Sequence, residues 1–153
     1  MRTRTRILIA LAGVLLGAPA LPAQRGNSGA AAGSYQVVVN ANNPVNALNA
    51  RELSRIFRKE VTRWADGSAA APVDQRQDSP ARAAFSVGVH GRSPAIIAEF
   101  WRQQIFSGRS IPPVEKSSDA EVLEFVRVTP GAVGYVSGGT PLVAGVKAVT
   151  VER

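Results

Sequence analysis

The residues with the most chemical promise lie in one short stretch, Gln75-Arg76-Gln77-Asp78-Ser79-Pro80. It gathers an amide, a cation, a carboxylate and a hydroxyl just where a helix should begin. Serine is a favoured N-cap because its hydroxyl accepts from an orphan helix N–H. Proline is at home one position later, where no N–H is needed. A strand that runs into a helix N-terminus makes a ready anion site, since unpaired N–H groups and the helix dipole converge there. Ser79, Arg76, Gln75 and Asp78 are therefore the candidate ligand-binding residues. Two plainer readings stand beside this one. Ser79-Pro80 is also a bare capping pair, a device repeated at Ser93-Pro94, and Arg76 is also a solvated loop charge. Arg82 falls in the first turn of the same helix, where the dipole disfavours a cation, so it calls for an anionic partner such as Asp78.

Other chemistries find less material. The chain has no cysteine and one histidine, His90, which excludes disulfides and thiolate sites and leaves no His-based metal site. A Ser79–His90 pair with an aspartate could be drawn as a triad, but its spacing fits no nucleophile elbow. No catalytic residue, metal or cofactor is expected. Trp64, Phe100 and Trp101 read as packing aromatics before they read as ligand-stacking ones. The net charge is +7, yet Arg2, Arg4 and Arg6 lie in the first few residues, and without them the surplus is +4. A surplus that small and scattered fits a solvated surface and not a nucleic-acid stripe.

Stepping along the 153 residues, the first 23 have the form of a secretory signal. Arginines come first, then an apolar run over Ile7–Ala18 too short to span a bilayer, then small residues permitting cleavage after Ala20 or Ala23. Export to the periplasm or the exterior follows. Gln24–Ser34 is a Gly/Ala/Ser-rich leader. The remainder, 35–153, reads as one domain. Strands are expected at Tyr35–Val39, Ala71–Asp74, Ile111–Glu115, Ala132–Val136 and Lys147–Val151, the third confined to a sheet edge by Pro112-Pro113. Helices are expected at Ala50–Arg58 behind the cap Asn49, from Ser79 to about Val89, at Pro94–Phe106, and at Asp119–Val128 behind a Ser118/Glu121 capping box. Their inner faces are Leu53, Ile56 and Phe57; Ile97, Trp101 and Ile105; and Val122, Leu123 and Val126. Glu52 and Arg55 are spaced to pair on the first helix. The alternation predicts an α/β fold, a central mixed sheet of about five strands flanked by about four helices.

In this order the pieces resemble the second lobe of phosphate-type ABC transporter substrate-binding proteins, the class II periplasmic binding fold. Val37-Val38-Val39-Asn40 with Asn43-Pro44-Val45 resembles the strand and loop that enter that lobe. Arg51–Phe57 with Trp64 beyond it, Ala71–Phe85, and Pro130-Gly131-Ala132-Val133-Gly134-Tyr135-Val136 resemble three further stretches. The resemblance covers Tyr35–Val151 and implies a single lobe, whereas the family's full proteins hold ligand between two. It also implies that Ala71–Phe85 is the phosphate-holding segment, with departures. The family pattern is Arg, three residues, Ser-Gly-Thr, and a Phe four residues later. Ser79 and Phe85 match, but Pro80 replaces the glycine, Ala81 the threonine, and Gln75 the arginine, with Arg76 one residue out of register. Proline removes an N–H and alanine a hydroxyl. At roughly 1.5–3 kcal/mol per charge-assisted bond, such losses weaken binding by orders of magnitude.

Two functions follow as expectations. One is a non-catalytic, exported binding domain whose ligand is phosphate or another small anion, serving ABC transporter membrane subunits or a separate first lobe. The other is a single-lobe interaction module in the periplasm that has lost its ligand and acts through protein contacts, including a homodimer. Nucleic acid is not an expected partner.

Overall fold

The computed structural model describes residues 34–152. The signal segment, and the leader apart from Ser34, lie outside the described residues. Among those described, no helix is long and apolar enough to cross a membrane. In chain order the elements are β1 (Tyr35–Asn40), β2 (Ala47–Asn49), α1 (Ala50–Phe57), β3 (Ala71–Gln75), α2 (Pro80–Phe85), a π-helical turn (Ser86–His90), α3 (Pro94–Phe106), β4 (Val114–Lys116), α4 (Asp119–Val128), β5 (Ala132–Ser137) and β6 (Val146–Glu152).

One mixed sheet runs in the order β2-β6-β1-β5-β3-β4. It has six strands, not about five; the addition is β2, three residues long and parallel to β6. A strand that short in an Asn-rich stretch carries no usable period. β1 is antiparallel to both β5 and β6, while β3 is parallel to β5 on one side and to β4 on the other. The β4 edge begins directly after Pro112-Pro113, as the missing proline N–H groups require.

The apolar run of β1 is buried on both faces. Val37 and Val39 join Leu53, Ile56 and Phe57 of α1 with Ala81, Phe85 and Tyr135 on one face. Val38 joins Val73, Val122, Leu123, Val126 and Val136 on the other. Period-two alternation thus distributes one strand between two cores, each such side chain contributing about 1.5–3 kcal/mol. Gly134 sets the spacing of α4 on the sheet: a Cβ there would stand 2.7 Å from Val73 Cγ1 and 2.8 Å from Val122 Cγ1.

The helix ends follow local chemistry. Asn49 accepts from the Arg51 N–H at 2.8 Å. Ser118 accepts from the Glu121 N–H at 3.3 Å, while Glu121 reaches back to the Ser117 N–H at 2.9 Å, one residue earlier than the usual box. At the far end of α4, Asn40 Nδ2 donates to the orphan carbonyls of Val126 and Arg127, both at 2.9 Å.

Four local expectations change, the first at Ser93, which opens α3 before Pro94 without the side-chain cap bond that Ser79 makes. Arg55 pairs with Glu60 at 3.7 Å, not with Glu52. The helix opened by Ser79 shifts to π geometry at Ser86 and ends at Gly91 in the left-handed conformation, φ 63°. Gly88 inside that turn lies so close to Tyr35 that a Cβ would stand 2.6 Å from its hydroxyl. On α3, Ile97 and Trp101 are buried but Ile105 is 53% exposed, because the helix packs chiefly on the π turn and its last turn runs past the body.

Candidate functional site

β3, β4 and β5 are parallel, so their C-terminal ends and the loops that leave them converge on one end of the sheet. That is where ligands bind in α/β folds generally. A cavity of about 460 Å³ opens there, lined by Gln75, Arg76, Asp78, Ser79, Pro80, Ser117, Asp119 and Ser137. All four candidate residues are thus brought together. β3 delivers Gln75, the connecting loop carries Arg76 and Asp78, and Ser79 caps α2. Asp119 and Ser137 join them from α4 and β5, Asp119 from a position that the sequence marks only as the start of a helix.

The polar groups at the mouth are bonded chiefly to one another. Gln75 Nε2 donates to Asp119 Oδ1 at 2.8 Å and to the Tyr135 carbonyl at 2.9 Å. Gln75 Oε1 accepts the Ser79 hydroxyl at 2.6 Å. Ser79 Oγ in turn accepts the Arg82 N–H at 3.3 Å, the N-cap bond foreseen for it. Asp119 Oδ2 accepts the Ser137 N–H at 3.1 Å and the Thr140 hydroxyl at 2.9 Å. Burial raises the Asp119 carboxyl, but its bonds to Ser137, Gln75 and Thr140 outweigh that and hold it below the usual aspartate value. Arg76 donates from Nε and Nη2 to Asp78, each at 3.2 Å, with both side chains largely in solvent.

Arg82 turns away from the mouth. Its anionic partners are Asp74 (Nη2–Oδ2 3.1 Å) and Glu115 (Nη1–Oε2 2.9 Å), not Asp78, which Arg76 engages. Nη1 also donates to the Gln75 carbonyl, and the Tyr135 hydroxyl donates to Asp74. Burial raises the Asp74 carboxyl against the lowering pull of Arg82. Burial, and then the Asp74 charge, push the Tyr135 phenol upward. This ion-pair cluster fastens α2 to β3 and the edge strand β4 beneath the mouth. The dipole penalty at the start of α2 is met inside the protein, so it no longer points to an external anion.

His90 and Ser79 have separate partners. His90 Nδ1 lies 2.8 Å from Ser54 Oγ on α1, and its ring meets Phe57 and Phe85 edge-on. Burial, then the charges of Arg58 and Arg82, lower its pKa to about 4. Trp64 is buried and donates from Nε1 to the Gly131 carbonyl at 2.9 Å, a packing role. Gly131 is needed there, since a Cβ would fall 1.9 Å from the Ala69 carbonyl oxygen. Among the described residues no cluster of His, Cys, Asp or Glu could hold a metal ion.

No curated protein matches the chain. Among solved structures, an ABC-type phosphate transport receptor from Vibrio cholerae is similar at 22% identity and a TM-score of 0.61, over 78% of this chain and 46% of that one. A Clostridium perfringens protein described as a phosphate ABC transporter substrate-binding protein with bound phosphate is similar at 19% identity and a TM-score of 0.60, over 77% of this chain and 44% of that one. The chain therefore spans less than half the length of either, as a single-lobe version would. A family model described as the PBP superfamily domain matches residues 28–151. The mixed sheet, its flanking helices and that match together place the chain in the PBP superfamily domain family.

Proposed function

We propose that this chain is an exported, non-catalytic binding domain related to the phosphate receptors of ABC transporters, and that it works through protein contacts in place of capturing free phosphate. One observation carries the reading: four donors at the centre of the mouth are spent on the protein's own acceptors, leaving the Ser117 and Ser137 hydroxyls of the lining without a bond. Both N–H groups of the Gln75 amide, the Ser79 hydroxyl and the Ser137 amide are engaged internally. Pro80 offers no N–H, the one cation of the lining, Arg76, is paired with Asp78, and Asp119 adds a second carboxylate to the lining. A dianion entering here would meet net negative charge and would have to break bonds worth about 0.5–3 kcal/mol each, the stronger being those to the Asp119 carboxylate.

A contact role has its own support. Ile105, Phe106 at 96% exposure, Ile111 and Val114 are exposed apolar side chains spaced along the segment from the end of α3 to the edge strand β4. Exposed apolar surface of this kind marks interaction sites. The candidate partners are a separate first lobe, a transporter membrane subunit or a second copy of the chain. A photo-crosslinker at position 106, in cells, should give a discrete adduct recovered from the periplasmic fraction. Absence of any adduct, together with a strict monomer by light scattering, would sink the contact reading. The small-anion reading keeps one observation in its favour, the assembly of Gln75, Arg76, Asp78 and Ser79 around a single cavity. It requires phosphate or sulfate to raise the melting temperature, and Arg76→Ala or Ser79→Ala to abolish that rise.

A further inference from the structure

Asp119 is the first residue of α4, yet its carboxylate bonds across the mouth to other elements. Oδ1 holds the Gln75 amide from the end of β3. Oδ2 holds the Ser137 N–H from the end of β5 and the Thr140 hydroxyl from the turn that follows. It also lies at the start of a ten-residue helix, where the dipole favours negative charge. A backbone N–H, an amide N–H, a hydroxyl and a helix N-terminus converging on one point are what a protein assembles to hold an anion. Here an anion is already present, covalently part of the chain. Gln75 strengthens the contrast, because it stands where the resemblance places an arginine. An arginine could hold an internal carboxylate and an incoming anion together; an amide with both N–H groups committed cannot.

We propose that Asp119 is a built-in anion that fills the donor set of the mouth and makes it refuse phosphate and sulfate. The inference rests on the reading above that free phosphate is not captured, and it names the residue responsible. Asp119 stays ionised across the neutral range, because its three donors favour the charged form over the cost of burial. Exclusion is therefore permanent at physiological pH. Removing the carboxylate frees one Gln75 N–H, the Thr140 hydroxyl and the Ser137 N–H, and takes one negative charge out of the lining.

The test is calorimetric titration of inorganic phosphate, and separately sulfate, into the full chain and into Asp119→Ala. The expected result is no heat of binding for the parent up to about 10 mM anion and saturable binding by the variant at a concentration at least about tenfold lower than that limit. Phosphate binding to the parent would overturn both the inference and the reading beneath it. A silent parent with a folded, equally silent Asp119→Ala would overturn the inference alone. Where Asp119→Ala loses its native circular dichroism, the parent supplies the second readout. The Ser137 amide resonance must shift as the carboxyl protonates, with a midpoint below the ordinary aspartate value. A Ser137 amide indifferent to acid through that range would overturn the inference without any variant.

Discussion

Gln75 satisfies three partners with one amide, and its backbone N–H reaches Asp74 and Tyr135 as well. Such a residue ties the mouth to the buried ion pairs beneath it. Its position could be read from the sequence, as could those of Arg76, Asp78 and Ser79, because the end of a strand and a Ser-Pro helix start are local signals. Asp119 escaped because its partners lie 18, 21 and 44 residues away and no local pattern encodes them. The true partners of Arg82 escaped for the same reason, although its uncomfortable place in the first turn did signal that an anion must be near. His90 yields a pH prediction. Its folded pKa, lowered to about 4, lies below the ordinary 6.5. The unfolded chain therefore binds the proton more readily between those values. The stabilisation is complete above about pH 6.5 and is lost as pH falls through about 4, up to roughly 3 kcal/mol. Urea midpoints should drop over that window in the parent and drop less in His90→Phe. Parallel curves for the two would show that His90 is not the group responsible.

At the scale of elements, strand β3, the polar loop and α2 form one unit, pinned by Arg82 to Asp74 and Glu115. The caps Asn49, Ser79 and Ser118 were all legible, since each needs only the side chain and the turn that follows it. The switch from α to π geometry at Ser86 was not, and the contact that requires glycine inside it, Gly88 against Tyr35, joins residues more than fifty apart in the chain. Exposure of Ile105 was equally hidden: a periodic apolar face says where a helix could pack, not how far the body beneath it extends. Gly134 offers the sharpest test of the packing. Gly134→Ala would drive a methyl into Val73 and Val122, and should cost about 1–3 kcal/mol by pushing α4 off the sheet. Chemical denaturation measures it, and an unchanged midpoint would mean that the two layers yield without strain.

At the scale of the molecule, one mixed sheet is covered by α1, α2 and the π turn on one face and by α4 on the other. The fold class was readable because β-branched runs and helix caps alternate along the chain, and the phosphate-receptor neighbours carry the same fold in chains more than twice as long as the part they share. What pairing cannot reveal is which surfaces are left for a partner. Phe106 is the clearest case, almost fully exposed at the end of α3. Phe106→Asp should leave folding stability within about 0.5 kcal/mol, as exposed positions do, while removing the crosslinked adduct. A destabilised variant would place Phe106 in the fold's own packing instead. The measurement closest to the central claim remains a thermal-shift titration of the unaltered protein with phosphate. Saturating ligand on a competent site would add about 2.7 kcal/mol at a hundred times its dissociation constant, a shift of several degrees. The spent donors and the Asp119 carboxylate predict an unchanged melting temperature. A saturable rise, lost in Ser79→Ala, would contradict the account and return the domain to the anion-binding class.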